Sequence, residues 1–130
     1  MQVHHVGYAV KDINRAIKQC ELLGYTQESY TKDLKRNVLI SFMRNQNQTI
    51  ELVAPIKNGE ETALGDILKK KGPGPYHICY EVFDLNKAID QMEKDGFMLI
   101  KAPEEACAID NKRVAFMWSR ILGMIELVEN

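Results

Sequence analysis

The chain has 130 residues, 17 Lys+Arg against 18 Asp+Glu for a formal charge of −1, and 45% hydrophobic residues. That is the length of one domain, apolar enough to bury a core without a disulfide framework or a structural metal. The balanced charge, with no basic run, excludes the footprint of a nucleic-acid binder, and the longest apolar run, Val114-Ala115-Phe116-Met117-Trp118, falls far short of the roughly 18–20 residues that span a bilayer.

In chain order, residues 3–10 alternate with the period of two expected of a strand. Asp12 then stands at the N-cap of a helix whose apolar residues Ile13, Ala16, Ile17 and Cys20 recur at helical spacing, and Gly24 stops it. Extended stretches are predicted at about 25–31, 37–44 and 49–54. Residues 61–71 read as a short helix with lysines at its C-terminal end, closed by Gly72-Pro73-Gly74-Pro75 as a turn. A second strand, 76–82, leads to a second capped helix: Asp84 at the N-cap, Leu85, Ala88, Ile89 and Met92 on one face, Gly96 at the stop. Further extended stretches are predicted at about 98–101, 112–118 and 124–129.

The second half of that order restates the first. Sliding the chain by 72 places lays His5, Tyr8, Val10, Asp12, Asn14, Ala16, Ile17, Gln19, Glu21 and Gly24 over identical residues, and Ile50-Glu51-Leu52-Val53 recurs as Ile125-Glu126-Leu127-Val128. The expected fold is α+β: one domain, 1–130, made of two tandem βαβββ modules, about 1–55 and 75–130, joined by a linker of about 56–74. The modules are expected to form a curved mixed sheet around a metal-binding cleft.

Strand periodicity assigns side chains to faces. His5 shares a face with Val3, Gly7 and Ala9, opposite Val6, Tyr8 and Val10; His77 shares one with Cys79 and Glu81, opposite Ile78, Tyr80 and Val82. Glu51 lies opposite Ile50 and Leu52, and Glu126 opposite Ile125 and Leu127. A single His or Glu on a strand face is more often a hydrogen-bonded or solvated residue than a ligand. Recurrence of the pair in both modules, always opposite the apolar face, reverses that reading. Two imidazoles and two carboxylates suit a divalent first-row metal with coordination positions left for a substrate. His4, with Tyr76 as its repeat partner, is expected on the helix side in a structural role, so that its replacement leaves metal content intact. Cys20, Cys79 and Cys107 are odd in number without a C-x-x-C spacing and are expected as reduced thiols. Cys79 is expected as a buried, inert one, although it shares the face of His77.

His5-Val6-Gly7-Tyr8-Ala9-Val10 with Asp12, Ile50-Glu51-Leu52-Val53-Ala54-Pro55, Tyr76-His77-Ile78-Cys79-Tyr80-Glu81-Val82 and Ile125-Glu126-Leu127-Val128-Glu129 resemble the vicinal oxygen chelate superfamily across nearly the whole chain. That superfamily includes glyoxalase I, methylmalonyl-CoA epimerases, extradiol dioxygenases and bleomycin-resistance proteins. The resemblance implies His5, Glu51, His77 and Glu126 as ligands of a divalent metal ion such as Zn, Ni, Co or Mn. Two His and two carboxylates are the set of glyoxalase I and the epimerases, whereas extradiol dioxygenases use one carboxylate. The glutathione-contacting Arg and Asn of bacterial glyoxalase I fall here on Ala9 and Pro55. The phrases around Glu51, His77 and Lys112-Arg113-Val114 look most like the epimerases, but the acidic residue that epimerases carry before the third strand falls on or near Lys35, and their Gly-Ala-His-Gly loop reads Ala108-Ile109-Asp110-Asn111.

The activity implied is that of a metal-dependent isomerase or lyase moving a proton beside a carbonyl of an acyl thioester or hemithioacetal, with Glu126 or Glu51 as base and Glu126 expected to matter more. The alternative is a small-molecule binding protein of the same fold. Asp33 and Asp110 are read as turn formers in preference to replacement acids. Lys35-Arg36 and Lys112-Arg113 are read as solvated pairs in preference to substrate contacts. The expected partners are a small substrate and a second copy in a homodimer, with no nucleic acid or membrane, in the cytoplasm.

Overall fold

The computed structural model describes residues 1–56 and 62–130. Among these, the chain forms β1 (Gln2–Ala9), α1 (Ile13–Leu22), β2 (Thr26–Gln27), β3 (Thr31–Asp33), β4 (Val38–Asn45), β5 (Gln48–Pro55), α2 (Ala63–Lys71), β6 (Gly74–Val82), α3 (Leu85–Lys94), β7 (Met98–Ala106), a 3-10 turn (Cys107–Ile109), β8 (Lys112–Ser119) and β9 (Gly123–Glu129). They divide into two compact units, Val6–Tyr76 on one side and Met1–His5 with His77–Asn130 on the other. The division differs from the repeat boundary, because the opening residues of β1 go with the second module.

In the unit Val6–Tyr76, the end of β1 runs parallel to β5, β4 is antiparallel to β5, and both β2 and β3 lie antiparallel on β4. Asp12 caps α1 by accepting from the Arg15 amide at 3.1 Å, and Gly24 follows the helix at φ 97°, a conformation that costs glycine little. The face of α1 carrying Ile13 and Ile17 closes on Val10, Met43, Leu52 and Ala54. Each such fully buried aliphatic side chain contributes on the order of 1.5–3 kcal/mol.

The unit formed by Met1–His5 and His77–Asn130 repeats this design. The start of β1 borders β6, β6 is parallel to β9, and β8 and β7 continue antiparallel. Asp84 caps α3 by accepting from the Lys87 amide at 3.0 Å, and Leu85, Ile89 and Met92 pack against Val82, Ile125 and Leu127. Both helices therefore cover the apolar face of their strands and leave the His and Glu positions on the other.

Three expectations are corrected. The strand predicted at 25–31 is two short ones. Between them the Glu28 amide donates to the Phe42 carbonyl at 2.8 Å and the Ser41 hydroxyl donates to the Ser29 carbonyl at 2.8 Å, pulling the chain out of the ladder. The turn predicted at 72–75 is half absorbed: Gly72, at φ 73°, ends α2, and β6 already begins at Gly74, with Pro75 tolerated near the strand's start. β7 runs on to Ala106, past the expected 101, with register shifts between Leu99 and Lys101 and between Lys101 and Glu104. The helix expected at 61–71 is observed from Ala63 with Thr62 as its cap; Glu61 lies outside the described residues. Among the described residues, no helix is long and apolar enough to cross a membrane.

Candidate metal centre

β1 and β6 each present one histidine, and β9 presents one glutamate, on the face turned away from the helix. His5 is 1% exposed, His77 4% and Glu126 5%. The Nε2 atoms of His5 and His77 stand 3.4 Å apart, and each lies 3.2 Å from Oε1 of Glu126. Donor atoms around a first-row metal at roughly 2.0–2.2 Å are themselves roughly 3.0–3.5 Å apart, so this triangle has the edges of one face of a coordination shell. The rings of His5 and His77 meet edge to face at 5.5 Å, and Phe116 packs edge-on against His77 at 5.4 Å, which fixes the imidazole planes.

The electrostatics agree with a cation site. Burial works to raise the pKa of Glu126, but the two imidazoles beside it, through short polar contact and charge, more than cancel that and hold it at about 2 against an ordinary 4.5. The carboxylate is ionised at neutral pH. Its Oε1 is buried and accepts no well-aligned hydrogen bond although two ring nitrogens are near. A buried carboxylate oxygen without a well-aligned donor, set between two imidazole nitrogens, is an arrangement that a divalent cation would satisfy by taking all three atoms as ligands. The donor set therefore fits a divalent metal ion.

Glu51, the fourth expected ligand, is carried by β5 of the unit Val6–Tyr76. It is 6% exposed, beside Gly7 of β1 and across from Phe42 of β4. Its station corresponds within the repeat to that of Glu126, which lies beside Cys79 of β6 and across from Phe116 of β8.

His4 departs from its expected place. Its ring reaches that of His5, with the two Nδ1 atoms 2.7 Å apart and the ring planes at 79°. Burial first, and then the neighbouring His5, hold its pKa below the ordinary value. The adjacent His-His pair was the signal in the sequence, masked by a rule that describes where Cβ atoms point and says nothing of where long rings end. Cys79 is fully buried, as expected, and its sulfur belongs to a second group of possible ligand atoms with His4 and His5, all within 4.8 Å of one another.

The loop candidates act locally. Asp33 is buried and accepts from the amide and the guanidinium of Arg36 at 3.0 and 2.9 Å, closing the turn between β3 and β4. Asp110 sits in the left-handed conformation, φ 53°, at the end of the 3-10 turn. Instead of being merely solvated, both arginines are engaged: Arg36 with Asp33, and Arg113 with Glu129 at 3.4 Å and Asn86 at 2.9 Å.

Residues 4–116 match the model of the glyoxalase/bleomycin resistance protein/dioxygenase superfamily, and the chain belongs to that family. It is 30% identical over 117 residues, 89% of its length and 87% of the relative's, to the ethylmalonyl-CoA/methylmalonyl-CoA epimerase of Cereibacter sphaeroides. It is 30% identical over 130 residues, 98% of its length and 72% of the relative's, to the mitochondrial methylmalonyl-CoA epimerase of Homo sapiens. Among solved structures, the methylmalonyl-CoA epimerase of Mycobacterium tuberculosis superimposes with a TM-score of 0.85 at 25% identity, covering 98% of this chain and 87% of that one. With these relatives the chain is an enzyme of the epimerase type.

Proposed function

We propose that the chain is a divalent-metal-dependent epimerase of short 2-carboxyacyl thioesters of coenzyme A, inverting the carbon between the thioester carbonyl and the carboxylate. The observation that carries this reading is the buried triangle of His5 Nε2, His77 Nε2 and Glu126 Oε1. The epimerase relatives support the substrate class. Glu51 joins the set as fourth ligand, supported by its equivalence to Glu126 in the repeat and by its burial. When bound, the ion supplies Lewis-acid stabilisation of negative charge developing on a carbonyl oxygen.

The rest of the work falls to the chain's own groups. His5 and His77, buried and braced ring against ring, hold their Nε2 atoms at fixed positions. Glu126 and Glu51 are the candidates to take and return the proton. Of the two, Glu126 is expected to matter more for the chemistry, since it stands beside both imidazoles, 3.2 Å from each Nε2. The proposal includes a cytoplasmic homodimer.

The test is solvent deuterium exchange into methylmalonyl-CoA, ethylmalonyl-CoA and a glutathione hemithioacetal, using protein stripped of metal and reloaded with Zn, Ni, Co or Mn. Exchange into an acyl-CoA, dependent on reloading, is expected. At least one of Glu51→Gln and Glu126→Gln should keep metal and lose about 10²–10⁴-fold in exchange, as for a deleted general base. Full exchange by both Glu51→Gln and Glu126→Gln would discard these bases, and exchange into none of the compounds would favour a binding protein.

A further inference from the structure

We propose that Met124, Trp118 and Met98 form an apolar shelf that receives the alkyl branch at C2 of the acyl thioester, so that the chain acts on thioesters whose branch is longer than methyl or ethyl. The inference rests on the epimerase reading above and adds the substrate's own side chain to it.

The three residues lie in one row across the sheet. Met124 and Trp118 are register partners on β9 and β8, and Trp118 and Met98 are partners on β8 and β7. Met124 precedes Glu126 by two places, Trp118 follows Phe116 by two, and Glu126 and Phe116 are themselves partners, so the row shares the face of the metal centre. On β6 the residue level with Met124 is His77, since the next residue, Ile78, pairs with Ile125. The row therefore starts beside a candidate ligand and ends on the last strand of the unit. Exposure rises outward: Met124 is half-buried, Trp118 is 39% exposed and Met98 59%. Scattered exposed apolar side chains are ordinary, but three in one row leading away from a polar centre mark a binding surface.

The repeat supplies the comparison. In the unit Val6–Tyr76 the same row is Thr49, Arg44 and Thr26, with Thr49 two places before Glu51 and Arg44 two after Phe42. That row is polar, and its arginine reaches Glu28 at 3.3 Å and the Gln46 carbonyl at 3.2 Å. The sheet is built equally well with either chemistry, so the apolar row of the second module is not a demand of the fold.

The chemistry of the substrate selects the occupant. The carbon to be inverted bears a hydrogen, a carboxylate, a thioester carbonyl and the alkyl branch. Its two oxygen-bearing groups suit the polar centre, which leaves the branch as the apolar group attached directly at the reacting carbon. Inversion breaks the C2–H bond on one face and forms it on the other, and no other bond changes, so one resting place serves the branch in both stereoisomers. The thiol arm of coenzyme A carries amides that would give up water for three apolar side chains, whereas an alkyl branch only gains by leaving water. Strands lie roughly 4.8 Å apart, so the row from β9 to β7 is roughly 10 Å long, more than one or two carbons cover.

The experiment reads turnover and occupancy in the full, zinc-loaded chain. Malonyl-CoA thioesters with methyl, ethyl, butyl and hexyl branches at C2 are compared for solvent deuterium exchange, and Trp118, the chain's one tryptophan, reports the shelf directly by its fluorescence. The expected kcat/KM rises with branch length, by about 4-fold for each methylene buried, with a blue shift of Trp118 emission that grows along the series and is absent with coenzyme A alone. Trp118→Ala and Met98→Thr, the second borrowing the residue of the polar row, should flatten that rise. A flat or falling wild-type series, an undiminished rise in both variants, or emission that does not follow branch length would overturn the inference. So would an equal shift with coenzyme A alone, which would put the thiol arm on the shelf. Exchange into none of the four thioesters would overturn the epimerase reading instead; the emission series then judges the shelf by itself, upholding it if the shift grows with the branch and overturning it if it does not.

Discussion

Cys79 and Glu126 are register partners on the parallel strands β6 and β9, so the thiol and the carboxylate leave the sheet side by side on one face. Cys79 is sealed there with no exposure, whereas Cys107 is exposed and Cys20 has its thiol pushed up by burial. A thiolate reagent at neutral pH should label Cys107 first and Cys20 slowly, reaching Cys79 only on unfolding. Peptide mapping of the labelled protein checks the order; early labelling of Cys79 in the folded chain would contradict its burial.

Acid should expose the state of Glu126. Its folded pKa, about 2, lies below the ordinary 4.5, so the stability it contributes is present above 4.5 and is lost as pH falls from there towards 2. In metal-free protein, urea midpoints across that window should fall more steeply for wild type than for Glu126→Gln. Parallel slopes would mean that the carboxylate is not held by the imidazoles.

Metal should stabilise by mass action. At 100 times its Kd, an ion that binds only the folded chain contributes about 2.7 kcal/mol, which for a domain of this size is roughly a 10 °C rise in Tm. His77→Ala and Glu126→Ala should abolish most of that rise and lower metal content, measured by calorimetry and elemental analysis. A full rise in either variant would place the ion elsewhere.

The helix-covered face should carry the stability that metal does not. Leu127 has no exposure and packs with Leu85 and Ile89, so Leu127→Ala should cost about 2–5 kcal/mol in equilibrium unfolding. Asp84→Ala, which removes the acceptor for the Lys87 amide, should cost about 0.5–2 kcal/mol. Neither substitution should change zinc stoichiometry.

What could be read in advance was what local rules and the repeat both address. Asp12 and Asp84 announced their helices because a cap bonds only three residues away. His5, His77 and Glu126 were legible because a period of two, written twice, assigns faces without knowledge of the partner strand. The split between β2 and β3 was not legible, since it is made by bonds from Glu28 and Ser29 to Ser41 and Phe42 of β4, which no local pattern encodes. The extra length of β7 likewise depends on its pairing with β8. The contact of His4 with His5 escaped for a different reason: backbone direction settles where a side chain starts, and an imidazole is long enough to end elsewhere.

The interruptions in β7 have a bearing on solubility. β7 stands last in the strand order of its unit, and its ladder to β8 is broken at two places around Lys101 and Glu104, whose side chains pair at 3.2 Å, with Pro103 between them. The other unit ends on β2 and β3, strands of two and three residues with a gap between. Charge, proline and register breaks on one edge, and brevity on the other, are the features that keep a sheet from recruiting another chain. A strand arriving at either edge meets no long uninterrupted row of amide and carbonyl groups, so edge-to-edge growth into fibres lacks a template.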